Sequence, residues 1–173
     1  MPTALPRDAS ARPFLMAPRE ELHFYDRRSV HLARAVTALD GWKLMRSQPS
    51  VLLDLAMRLR DAIACRFGVA PIRGFAPRVP AGLRAGDRLG FFTVDHVSDT
   101  DLVLTVRDRH LDVMTWLAVD GLAFSVTSSV RVHNLFGRLY MLPVAPAHKL
   151  IVAADLRRLR RLVGSPGKSD RQI

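Results

Sequence analysis

A chain of 173 residues, 49% of them hydrophobic and 24% charged, can bury one substantial core and is too short for two independent ones. Its single cysteine, Cys65, excludes an internal disulfide and any cysteine-built metal cage, which suits a reducing, cytoplasmic setting; within an apolar helical pattern it reads as a buried, inert thiol. The net charge of +10 raises nucleic acid as a partner, but the basic surplus sits in the connector 66–88 and in the C-terminal 149–173, while the strand-rich 89–148 is net acidic.

Residues 1–20, MPTALPRDASARPFLMAPRE, lack the unbroken apolar core of a signal peptide, and no uncharged apolar run of about 18 residues occurs anywhere. They read as a flexible arm over 1–19, ahead of one domain over 20–163 and a disordered tail over 164–173. In the domain, Leu22, Phe24, Val30 and Leu32 alternate with polar residues and predict a first strand near 22–32. Ala35, Leu39 and Trp42 then fall at helical spacing, with Gly41 as a point of weakness. The strongest helical signal is 50–67: Ser50 can cap, Leu52, Leu55, Leu59 and Ile63 form a stripe, and Gly68 is a stop signal. Asp54, Arg58 and Asp61 on the other side read as surface pairing. The Pro, Gly and Arg of residues 69–87 predict an irregular loop.

After Gly86 the period becomes two. Strands are expected near 88–97, 102–107, 111–119 and 123–133, separated by the short polar turns SDTD, RDR and VDG. A helix beginning at Leu135 should stop or kink before Pro143, and Pro146 suits the first turn of a new helix. In that helix Val152, Leu156, Leu159 and Val163 form a stripe to bury, with Arg157, Arg158, Arg160 and Arg161 on the other sides. The expected fold class is α+β: an antiparallel curved sheet of at least five strands, helices on one side, and a long C-terminal helix across it, the order of a START-like or helix-grip domain.

Three segments carry a closer resemblance. DRHLD at Asp108–Asp112, SSVRVHNLFGRLY at Ser128–Tyr140 and PAHKLIV at Pro146–Val152 resemble the bacterial domain-of-unknown-function 2867 family. The likeness covers about residues 20–160 and is most specific over 108–152. It implies a START-like, polyketide-cyclase-like fold, found alone or behind a dehydrogenase-like nucleotide-binding domain, and it assigns no activity. Val113 and Ala147 stand where that resemblance leads one to expect aromatic residues. No G-x-G-x-x-G follows a strand in this chain, so a dehydrogenase-like partner would have to be a separate subunit.

A tight turn near Asp120-Gly121 would gather His110, Asp112, Arg131, His133 and Asn134 at one rim of the sheet; whether Asp112 and Arg131 share a face turns on one residue of register. The functional reading makes His110, Asp112 and His133 candidate acid–base groups, an ionised Asp orienting a His. In the structural reading Asp112 and Arg131 are an edge ion pair, while His133 and Asn134 cap the helix at Leu135. Met114, Trp116, Phe124, Val126 and Tyr140 either line an apolar pocket under the final helix, with Asp112 and Arg131 as its polar contacts, or fill a core. His148, with Arg and Lys neighbours, reads as exposed. His110, Asp112 and His133 are metal ligands by type only, Ser128 and Ser129 lack a nucleophile-elbow motif, and no P-loop or cofactor motif is present.

Three functions follow. The leading one is binding of a hydrophobic small molecule between sheet and C-terminal helix. The others are a cyclase, dehydratase or isomerase at the rim, and a basic module on anionic lipid or nucleic acid, although no specific nucleic-acid signature and no transmembrane segment is found. The final sheet edge and the apolar loop around Phe75 are two surfaces through which a homodimer could form.

Overall fold

After Gly86 the period-two patterning becomes an antiparallel meander, to which the N-terminal strand adds beside the last strand rather than the first. The computed structural model describes residues 14–47, 79–80 and 82–164. In it β1 (Phe24–His31) and α1 (Ala38–Arg46) precede β2 (Arg88–Leu89), β3 (Phe92–Val97), β4 (Asp101–Arg107), β5 (Leu111–Asp120), β6 (Ala123–Val132) and α2 (Leu135–Val163). Six strands form one sheet in the order β1-β6-β5-β4-β3-β2, all neighbours antiparallel. This is the expected α+β class, with its antiparallel sheet and long C-terminal helix. The expected helix over 50–67 and most of the loop over 69–87 lie outside the described residues.

Two expectations are corrected. The single strand anticipated over 88–97 is a hairpin: Gly90 takes φ +67°, reversing the chain so that Arg88 pairs with Thr93 and Leu89 with Phe92. The prolines likewise do not divide the C-terminal segment. One 29-residue helix contains both Pro143 and Pro146. Each proline removes an amide donor and leaves the carbonyl four residues earlier without its helical partner. Those carbonyls belong to Leu139 and Leu142, which are 58% and 70% exposed, so water can take the place of the missing donors. Farther along, Val152, Leu156, Leu159 and Val163 are all buried and hold the helix down, as their spacing anticipated.

The two faces of the sheet are covered differently. Alternate residues of each strand point to the same side, and Leu102, Leu104, Leu117, Val119, Phe124 and Val126 pack with Trp42 and Met45 of α1 and the buried stripe of α2. The opposite face carries Val103, Met114, Trp116 and Ala118, against which Met16 packs. Residues 14–17, within the segment expected as an arm, lie on this second face: the Met16 amide donates to Ser129 Oγ at 3.0 Å, and Phe14 meets Trp116 edge-on and stacks on His96.

In α1 the Thr37 hydroxyl accepts from the Asp40 amide at 3.1 Å, capping the helix. Ala38, Gly41, Trp42 and Met45 form its buried side; Ala35 stays outside the helix and exposed. Gly41 does not break the helix, because it is where α1 presses on the sheet: a Cβ there would run into the ring of the fully buried Phe124. The two helices are locked by an ion pair between Arg46 and Asp155 and by Arg158 Nη1 donating to the Met45 carbonyl at 3.2 Å. Burial raises the Asp155 carboxyl and lowers the Arg46 guanidinium from their ordinary pKa values, so for each group desolvation outweighs the attraction between them.

Gly41→Ala should therefore destabilise the protein. Overpacking against Phe124 costs about 1–3 kcal/mol, of which the better helix propensity of alanine recovers less than about 1 kcal/mol. A urea unfolding midpoint equal to or above the wild-type value would contradict this close approach.

Candidate functional site

The rim of the sheet is set by the β5–β6 hairpin. Gly121, at φ +56°, allows the tight turn, and the register runs from Asp120↔Ala123 to Leu111↔Val132. Asp112 and Arg131 are direct cross-strand partners and so share a face. Asp112 Oδ2 meets His133 Nε2 at 3.0 Å, while Arg131 reaches Glu21 at 3.1 Å. The rim thus joins Asp112 to His133 and ties the turn before β1 to β6.

His110 is engaged elsewhere. Its Nε2 accepts from Arg109 Nε at 2.8 Å, which leaves the proton on Nδ1 to be donated to Asn134 Oδ1 at 3.2 Å. Its ring also lies against Phe136, with centroids 4.5 Å apart. Asn134 Oδ1 accepts from the Gly137 amide at 3.0 Å as the cap of α2, and its Nδ2 donates to the Arg109 carbonyl at 3.1 Å. A Cβ on Gly137 would sit 2.5 Å from the His110 carbonyl oxygen, so the first turn of α2 rests directly on the β4–β5 turn. The Asn134 part of the structural reading is what the geometry shows. Beside it is a cleft of about 140 Å³ lined by Val132, His133, Asn134, Leu135 and Arg138.

The residues read as a pocket lining are not brought together. Phe124 and Val126 are 0% and 4% exposed within the filled core, and Tyr140 packs from α2 on the Leu111, Val130 and Val132 cluster. Met114 and Trp116 are on the opposite face, where Trp116 Nε1 donates to the buried Asp101 at 2.8 Å. Their placement under the final helix is corrected by strand parity: with Asp112 on the far face, Met114 and Trp116 follow it, and Val113, Thr115 and Leu117 turn to the helices.

The helix-covered face instead holds a polar site missed in the sequence. His148, expected to be exposed, is half-buried between α2 and the sheet, and its Nε2 shares a 2.8 Å hydrogen bond with Oγ of Ser128, a residue 2% exposed. The imidazole stands edge-to-face with Phe24. Asp26, paired with Arg28 at 2.8 Å, is the cross-strand partner of Ser128 on one side, and Thr115 on the other. Desolvation lowers the His148 pKa to about 4, with Arg46 and Arg28 acting in the same direction and Asp26 opposing. The ring is therefore neutral at pH 7 and can accept or donate a hydrogen bond without a charge. Val106, Val113 and Thr115, on the same face, are only half-buried.

A signal for this site was present. Ser128 interrupts the apolar alternation Phe124, Val126, Val130, Val132, and His148 lies one helical turn before the buried Ile151 and Val152. Among the described residues no three His, Cys, Asp or Glu side chains gather as a metal site.

The three motif segments thus converge on the rim and on the Ser128–His148 pair. Residues 19–155 match the family described as "Protein of unknown function (DUF2867)". The chain belongs to this family. No curated protein matches it. For this DUF2867 domain the match spans both places but ends before the arginines of the last turns of α2.

The His148 environment has a measurable consequence. With its folded pKa near 4, below the ordinary 6.5, the unfolded chain takes up the proton first, so stability present above pH 6.5 is lost as pH falls toward 4. The residue is half-buried, and a loss of about 2 kcal/mol is expected. Urea denaturation at pH 7.5 and 4.5 (about three units apart) should show this loss reduced in His148→Gln; an unchanged difference would mean that His148 is not the group responsible.

Proposed function

We propose that this DUF2867 protein binds a small, largely apolar molecule bearing one polar group, on the helix-covered face of the sheet beside the first half of α2. The observation that carries this reading is the Ser128–His148 hydrogen bond, a neutral polar pair set next to the half-buried Val106, Val113 and Thr115. A ligand site of this class is mostly apolar, with a few polar groups that fix orientation. Ser128, Thr115 and His148 supply those groups, while Val106, Val113 and Tyr140 supply apolar contact. The position agrees with what a START-like resemblance implies, a ligand between the sheet and the C-terminal helix, but lies farther toward the rim than Phe124 and Val126, which the core occupies.

A second reading, acid–base catalysis at the rim, is favoured by the 3.0 Å contact between Asp112 and His133. It has less room. The adjoining cleft of about 140 Å³ is smaller than the several hundred Å³ usual for a ligand site, and His110 is committed to Arg109 and Asn134.

The test is native against denaturing mass spectrometry of the purified protein, with titration of an anilinonaphthalene sulfonate dye as a probe of defined chemistry. Ser128→Ala and His148→Ala should each weaken binding by about tenfold, the loss of one buried hydrogen bond, and Val113→Phe should block it while the unfolding midpoint stays near wild type. Binding that is unaffected by all three substitutions would sink the proposal. Turnover of a retained molecule that disappears in Asp112→Asn but survives in His148→Ala would favour the rim instead.

A further inference from the structure

The outward side of α2 is inverted relative to an ordinary surface helix. A helix lying on a sheet normally turns polar residues to water. Here the exposed apolar positions of its first half are Leu135, Leu139, Leu142, Pro143, Pro146 and Leu150, with the four leucines 58–71% exposed. They recur at helical spacing and make one stripe about 22 Å long, at 1.5 Å per residue. The stripe is flanked by the exposed Arg138 and Lys149, and the same side continues into Arg157, Arg160 and Arg161. Every exposed residue of α2 is apolar or basic; its one acidic residue, Asp155, is buried against Arg46.

By length and composition α2 is also apolar enough to cross a membrane, with 22% of its apolar window buried. Crossing would strip Ile151, Val152, Leu156, Leu159 and Val163 from the core, so the geometry favours lying on a surface over spanning it.

We propose that the outer face of α2 docks on an anionic phospholipid bilayer, Leu135, Leu139, Leu142 and Leu150 entering the acyl boundary while Lys149, Arg157 and Arg161 meet the headgroups. Charge decides the occupant. A second copy would bring another chain of net charge +10 and no exposed acidic residue on its own α2 to pair with these cations. Nucleic acid would answer the arginines and leave the leucines in water. An anionic membrane satisfies both halves of the stripe.

The experiment is co-sedimentation of the full chain with large unilamellar vesicles of phosphatidylcholine alone or mixed with phosphatidylglycerol. The protein should bind the mixed vesicles, and the binding should weaken as salt rises. Leu135→Gln, Leu139→Gln and Leu142→Gln combined should abolish it, and Arg157→Gln with Arg161→Gln should weaken it by at least about tenfold. These side chains are exposed, so unfolding midpoints should stay near wild type and verify that the variants fold. Failure to bind the mixed vesicles at low salt overturns the proposal, as does binding that survives the leucine substitutions. A dimer seen by light scattering, dissolved by those substitutions and accompanied by no vesicle binding, would assign the stripe to a second copy.

Discussion

The pairing of β5 with β6 over ten residues, from Leu111↔Val132 to Asp120↔Ala123, is the constraint on which the rest of the molecule depends. Side chains alternate along a strand, so a slip of one residue would exchange the faces of every position. In the observed register one face receives Leu117, Val119, Phe124 and Val126 for the helices, and the other receives Met114 and Trp116 for the N-terminal residues. The same choice puts Ser128 beneath α2 and Asp112 beside His133 at the rim. Gly121 sets that register through a backbone conformation that side-chain-bearing residues seldom adopt.

Between sheet and helices the molecule is not uniformly apolar. Leucine, valine and aromatic side chains fill the level of α1, whereas Asp26, Arg28, Ser128 and His148 lie toward the first half of α2, and Arg46 with Asp155 forms the boundary. A buried ion pair adds little net stability because both charges are desolvated, but losing one partner leaves the other exposed to that cost in full. Arg46 and Asp155 thus fix where α1 and α2 meet more than they strengthen the contact. Their presence also helps keep His148 uncharged, since Arg46 disfavours a second cation nearby.

The strands from β3 to β6 with the turns between them, and the buried stripe Val152, Leu156, Leu159, Val163, are legible because each rests on local periodicity or a turn residue; the turn at Gly90 and the pairing of β1 with β6 are not, the second because it joins residues about a hundred apart. The Asp112–His133 pairing was legible as a neighbourhood, since two strands joined by a short turn must bring their far ends together. Parity was not: Met114 and Trp116 look like any aromatic-rich lining, and their side is decided only by where Leu111 pairs. The prolines misled because their effect on a helix depends on whether water reaches the freed carbonyls, which is a property of the packed molecule. His148 is a different case: even a helix begun at Pro146 places it one turn before the buried Val152, but its exposed neighbour Lys149 points to water rather than to the sheet. Gly41 reads as a weakness in sequence because what it accommodates, the ring of Phe124, is more than eighty residues away.

The strand order also sets how the chain can assemble. β2 through β6 are neighbours in both sequence and sheet, so each pair closes through a short turn. β1 alone must pair at long range, Phe24 with Val130, a loop of roughly a hundred residues whose closure entropy has to be met before its contacts form. The meander is therefore positioned to organise first and β1 to join it late. Ser128 would then stand at an open sheet edge, facing water, until the strand carrying Phe24 and Asp26 arrives, so the surroundings that desolvate the Ser128–His148 pair close only with the longest-range pairing in the sheet.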